Sequence, residues 1–194
     1  MSSPDHVVAI VFPHVTIEVP RFGLVPEIGH AGVLLINGTN GLTKYYEYGR
    51  YDAAGLGIVR NQTIPDVTMD ADGTPNRTKL KATFRAISEK SGKKTVINSV
   101  MYRTDDQFAT GLAYCTGRLA QNSVPTREAY SVLTNNCVTF ADSTVKEMVS
   151  FVIRLAMPIW NPLPHAYILA LQANALITPS ATSLDYDYAT DVLS

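Results

Sequence analysis

The apolar positions of this chain fall into two periods, and the change between them divides it into elements. Residues 7–15 are almost continuously apolar and rich in β-branched side chains, which predicts a first strand. Residues 16–27 carry Pro20, Gly23 and Pro26 and read as a loop. Residues 29–36 are apolar on both faces, the mark of a strand covered on both sides. The turn signal Asn37-Gly38-Thr39-Asn40-Gly41 follows, then an aromatic-rich strand over 42–51, which predicts a hairpin. Residues 61–77 are polar and turn-rich and read as a long surface loop. Leu80, Phe84 and Ile87 then recur at helical spacing, predicting a helix over 77–91 that ends before Gly92.

Residues 95–103 return to a β-rich pattern, and 105–121 read as a helix with Asp105 near its start and Phe108, Leu112, Cys115 and Leu119 on its apolar side. Val138, Phe140, Ala141, Val145, Met148, Val149 and Val152 predict a helix over about 137–156, stopped by Pro158. A further helix is expected over 164–177. Residues 178–194 are small and polar with scattered Tyr and Asp, and read as a flexible tail. No repeat or linker divides the rest, so 1–177 is expected to be one catalytic domain of the α+β class, a small antiparallel sheet packed against helices.

Composition narrows the functional classes. The chain has 194 residues, 46% of them hydrophobic and 17% charged, with a net charge of −1. That balance argues against general affinity for nucleic acid or anionic membrane. No run of ~18 apolar residues predicts a membrane-spanning helix, and the start, Met-Ser-Ser-Pro-Asp-His, lacks the pattern of a secretory signal peptide. Two cysteines are too few for a disulfide framework, though a Cys115–Cys137 bridge is open on sequence alone. Cysteine and histidine pairs at metal-site spacing are absent, so neither metal nor cofactor is expected.

The candidate chemistry lies in two distant places. Cys137 begins the predicted helix, with Asn136 as its N-cap. Unpaired N–H groups and the helix dipole favour a thiolate there, and the thiolate is the nucleophilic form. His30 lies in Gly29-His30-Ala31-Gly32, on the apolar strand, as the candidate base. His6, His14 and His165 are its rivals, and His165, at a helix start, is the strongest. Cys115, in mid-helix among apolar residues, reads as a structural thiol. Glu47 is the candidate third member. A two-residue turn at 37–38 sets it diagonally from His30 on the same face, a four-residue turn at 37–40 pairs the two directly, and an odd loop puts Tyr46 and Tyr48 there. The Cys137 backbone N–H is the first candidate oxyanion donor, with Tyr48 or Asn136 as the second. Tyr45, Tyr46, Tyr48 and Tyr51 read mainly as sheet packing, one of them available to line a cleft; Arg50, Arg60 and Arg103 read as surface residues.

In Gly29-His30-Ala31-Gly32, Tyr46-Glu47-Tyr48-Gly49 and Asn135-Asn136-Cys137-Val138-Thr139-Phe140-Ala141, with Tyr130 before it, the chain resembles the circularly permuted papain-like proteins of the NlpC/P60 superfamily. In these the histidine strand precedes the Asn-Cys-x-x-Phe helix, the order found here. The resemblance covers roughly residues 28–150. It implies a permuted papain-like fold and a thiol enzyme acting on an amide or ester bond, with peptidoglycan peptides as the favoured substrate. Several bacterial members are toxins delivered by type VI secretion. That route implies export without a signal peptide from the bacterial cytoplasm to the periplasm of a target cell, a secretion apparatus as partner, and a cognate immunity protein. Lecithin–retinol-type members tend to carry a second histidine where this chain has Glu47, which weakens a lipid substrate. The rival readings are a deamidase or protease acting on a protein, and a non-enzymatic binding module on the same fold.

Overall fold

The structure is a computed structural model, and it describes residues 3–19, 23–25, 27–150 and 163–194. Its centre is β1 (Asp5–Phe12), in which every residue is buried. On one side β1 pairs antiparallel with β4 (His30–Ile36), and on the other with β7 (Ile97–Thr104). β5 (Thr43–Gly49) and β6 (Ile58–Gln62) extend the sheet beyond β4. β8 (Ala181–Asp187) and β9 (Val192–Leu193) extend it beyond β7. Among the described residues the order is β6-β5-β4-β1-β7-β8-β9, antiparallel throughout. The fold is thus α+β, with helices on both faces of the sheet.

Strand alternation sorts the core into two layers. Val7, Ala9 and Val11 of β1 face α2 (Phe108–Ala120), α3 (Cys137–Met148) and α4 (Pro164–Ala175). Val8, Ile10 and Phe12 face α1 (Arg77–Lys90), which buries Leu80, Phe84 and Ile87 against them. The helix starts have local causes. Asn76 accepts from the Lys79 N–H at 3.2 Å and caps α1. At α2 the partner comes from a distant element: buried Asp5 of β1 accepts from the Phe108 N–H at 2.7 Å and from the Gly38 N–H at 2.7 Å. The helix accordingly begins at Phe108, later than the pattern around Asp105 predicts.

Three expectations change. Residues 181–193 are not a tail: Leu184 and Tyr186 alternate with polar neighbours, bury on the α1 face and pair with β7. Ser99 Oγ donates to the Leu184 carbonyl at 2.6 Å, and Arg77 donates to the Leu193 carbonyl at 2.6 Å. The sheet therefore continues past residue 177, where the domain was expected to end. Within the 16–27 loop, β2 (Ile17–Val19) and β3 (Gly23–Val25) pair as a small second sheet. The cysteine helix stops at Met148, with the Val149 N–H closing on Val145, well before 156. Pro158, the expected stop, lies outside the described residues. None of the described helices is long and apolar enough to cross a membrane.

Candidate active site

The hairpin decides which side chains meet. Ile36 opposes Thr43 and Gly32 opposes Glu47, so the connecting loop is 37–42, of even length. That parity places Glu47 on the face of His30, one diagonal step away. Their side chains meet: His30 Nε2 lies 3.0 Å from Glu47 Oε2, with both residues buried. Tyr45 donates to the same carboxylate oxygen at 3.5 Å, and Gln62 Nε2 donates to its partner oxygen at 3.5 Å. Two glycines of the histidine motif make room for this. A Cβ on Gly32 would fall 2.3 Å from the Tyr45 hydroxyl. Gly29 has a φ of +87°, and a Cβ there would meet the Phe12 carbonyl at 3.0 Å.

Cys137 approaches from the other layer. Asn136 Oδ1 accepts from the Thr139 N–H at 3.0 Å, and Thr139 Oγ1 accepts from the Asn136 N–H at 2.8 Å, a reciprocal capping box that fixes the start of α3. The thiol meets the sheet at the first residues of β4, where His30, the Ala31 backbone N–H and the Tyr130 hydroxyl act on it. The position is an end of the sheet, so a ring from one face and a thiol from the other can meet there. Burial raises the thiol pKa, but hydrogen bonding and charge from His30 outweigh it, and the pKa is lowered. Burial likewise disfavours the imidazolium, yet Cys137 and Glu47 together raise the His30 pKa. Burial would raise the Glu47 pKa as well, and the imidazole keeps it low. All three directions favour a thiolate, an imidazolium and a carboxylate held in line.

His30, Glu47, Tyr51 and Tyr130 line a cleft of about 570 Å³. Tyr51, just past the end of β5, reaches the histidine: its hydroxyl lies 3.2 Å from His30 Nε2, and its ring meets the imidazole edge-on. Phe12 stacks on the imidazole at 6.2 Å between centroids. Tyr130 is the residue whose role sequence reasoning missed. Its presence just ahead of the cysteine motif was the available signal.

Both candidates for a second oxyanion donor are otherwise engaged. Asn136 uses Oδ1 in the cap and donates from Nδ2 to the Val132 carbonyl at 2.6 Å. Tyr48 lies on the α3 face, opposite to Glu47, where its hydroxyl accepts from Asn135 Nδ2 at 2.8 Å and its ring stacks on Phe140. Both therefore position the cysteine turn from beneath.

The rival histidines lie elsewhere. His14 is exposed and 3.8 Å from Glu27, and His165 is exposed in the first turn of α4. His6 is buried in β1, and burial and Arg103, partly offset by Asp5, lower its pKa to about 4. Cys115 and Cys137 are both free thiols, so no bridge joins them. Among the described residues no cluster of three or more His, Cys, Asp or Glu could hold a metal ion.

No curated protein matches the chain. The crystal structure of the type VI secretion system effector TseH superposes on it with a TM-score of 0.83 at 31% identity, covering 100% of this chain and 98% of the other. The family model described as "Type VI secretion system effector TseH-like" matches residues 5–151, a span that holds β1, the His30–Glu47 hairpin and the whole of α3. The chain belongs to the TseH-like family of type VI secretion system effectors.

Proposed function

We propose that this effector is a cysteine hydrolase that cleaves an amide bond in peptidoglycan peptides, with Cys137 as nucleophile, His30 as acid and base, and Glu47 as the orienting carboxylate. The observation that carries the reading is the line Cys137–His30–Glu47 at a helix N-terminus beside a cleft. The NlpC/P60-like motifs and the effector family favour a cell-wall substrate over others. Delivery by the secretion apparatus to the periplasm of a target cell, and a cognate immunity protein in the producer, belong to the same reading.

The chemistry follows from the groups present. His30 Nε2 is engaged by Glu47 and Tyr51, which leaves Nδ1 for proton exchange with the thiol. The Cys137 thiolate attacks the amide carbonyl. The oxyanion forms beside the Cys137 backbone N–H, which has no intrahelical partner at the first helical position. Tyr130, whose burial beside Cys137 raises its pKa and keeps it protonated, replaces Tyr48 and Asn136 as the second donor. The imidazolium protonates the leaving amine, a thioester acyl-enzyme remains, and neutral His30 then takes a proton from water as it attacks the thioester. Throughout, Glu47 stabilises the imidazolium without accepting its proton.

The test is incubation with purified peptidoglycan, followed by mass analysis of the released fragments, with Cys137→Ala as control. Fragments cut at one amide bond by the wild-type chain alone are the expected result. Turnover of a protein target without wall fragments would redirect the reading to a deamidase or protease. No turnover of either would leave a binding module.

A further inference from the structure

The cleft beside Cys137 carries charge that the proposed mechanism does not use. Arg50, Arg60, Lys90 and Lys93 all line it, and all four are exposed. The acids that line it are already matched, Glu47 by His30 and Asp52 by Arg127. Among the described residues none of the four cations has an ion-pair partner. Lys90 donates to the Thr63 carbonyl and Lys93 to the Thr16 carbonyl, contacts that hold a cation without neutralising it. A chain of net charge −1 thus concentrates positive charge at its catalytic cleft, where low-dielectric walls focus the field.

Arg60 is the informative member. It stands directly across from Glu47 in the β5–β6 register, where opposite charges ordinarily pair. Glu47 instead turns inward to His30, and the Arg60 guanidinium lies over the Tyr51 ring, 3.3 Å from its centroid. Tyr51 in turn touches His30. Stacking holds the guanidinium by its face and leaves its N–H edge free, the edge that binds a carboxylate through two parallel hydrogen bonds. A cation merely keeping the surface soluble has no need of a fixed seat one ring from the catalytic histidine.

We propose that Arg60, seated on Tyr51, is the carboxylate-binding residue of this cleft, with Arg50 and Lys93 on its basic rim, so that the substrate presents a carboxylate beside the bond that Cys137 attacks. The proposal rests on Cys137 being the nucleophile, and the test separates the two. Iodoacetate and iodoacetamide both alkylate a thiolate with loss of iodide, and they differ by one negative charge. Their rates at Cys137 and Cys115 are followed in the full chain by peptide mass spectrometry. At low salt Cys137 should prefer iodoacetate, and the preference should shrink as salt screens the cleft. The imidazolium of His30 contributes to that preference in every variant, so the change on substitution is the measure. Arg60→Gln should lower the iodoacetate-to-iodoacetamide ratio by about three- to fivefold, the scale of one exposed charge pair. Lys79→Gln, on exposed surface outside the cleft, should leave the ratio as it is. A ratio unchanged by Arg60→Gln overturns the proposal. So does stronger protection of Cys137 by inorganic phosphate than by glutarate, since the site would then read phosphate. A Cys137 no faster than Cys115 overturns the hydrolase reading instead, and an iodoacetate preference lost with Arg60 would still establish the anion site.

Discussion

The two cysteines of this chain share a chemistry and a degree of burial, yet their surroundings push them in opposite directions. Cys115 is in the middle of α2 against Thr144, whose hydroxyl lies 3.7 Å from its sulfur. Burial outweighs the small opposing effects of the Thr144 hydroxyl and the Arg118 guanidinium, and its thiol is pushed up to about 12. Cys137 is as deeply enclosed, but it opens a capped helix and meets an imidazole, a backbone N–H and a phenol, and its pKa falls. Burial in a protein does not make a thiol inert. What decides is whether the groups buried with it stabilise the anion.

The sharpest test of that contrast removes each sulfur in turn. Cys137→Ala should lower turnover by at least about a thousandfold, because nucleophile and base act as a unit. Circular dichroism should show the fold retained, and wild-type turnover in this variant would end the mechanism. Cys115→Ala should keep the turnover. Its cost should appear as stability, about 1 kcal/mol from the small cavity left behind, read from denaturant unfolding.

A second test asks whether Glu47 is what lets His30 hold its charge. Glu47→Gln keeps a hydrogen-bonding group and loses the anion. Turnover should fall about 10- to 100-fold, less than for Cys137→Ala, since the nucleophile and the oxyanion donors remain. The pH profile gives the sign. The His30 pKa is raised in the folded chain, so the imidazolium persists to high pH and is lost only as pH climbs through that raised value. Without the carboxylate the value drops, and the alkaline limb of kcat/KM should move to lower pH. An alkaline limb that stays in place would make Glu47 a bystander.

Much of this contrast was legible in the sequence. Asn136-Cys137 followed by a helical apolar pattern marks a helix start, and Cys115 between Leu112 and Leu119 marks a helix interior; both are local signals. Glu47 was reachable through parity alone, because a strand faces alternate sides whatever the loop length, provided that length is even. What could not be read was set at long range. Asp5 caps α2 from another element. Tyr51 and Tyr130 enter the site from outside the strands and helices, where no period points, and only its place ahead of the cysteine motif marks Tyr130. Leu184 and Tyr186 are only two apolar positions in a polar stretch, and β7 supplies the partner that makes them a strand. Arg60 is exposed, as its sequence reading has it, and only the register shows that it stands across from Glu47.

The smallest effect belongs to the cap, and it isolates the helix contribution to the thiolate from that of His30. Asn136 holds the first turn of α3 through Thr139 and the preceding loop through Val132. Asn136→Ser keeps a capping oxygen that can accept from the Thr139 N–H and loses only the tie to Val132. It should change stability by a few tenths of a kcal/mol. Asn136→Ala removes both and should cost about 1 kcal/mol in denaturant unfolding. The helix N-terminus frays with it, so the N–H groups and dipole that favour the thiolate are less well fixed. The thiol pKa, read from the pH dependence of iodoacetamide alkylation at Cys137, should rise modestly in the alanine variant and hold in the serine variant. Replacing His30 should raise it far more, because the imidazole is the largest group lowering it. Equal shifts for Asn136→Ala and a His30 variant would mean that the helix start alone makes Cys137 differ from Cys115. An alanine variant with lost stability and an unmoved thiol pKa would leave the difference to His30 first, with the Ala31 N–H and the Tyr130 hydroxyl behind it.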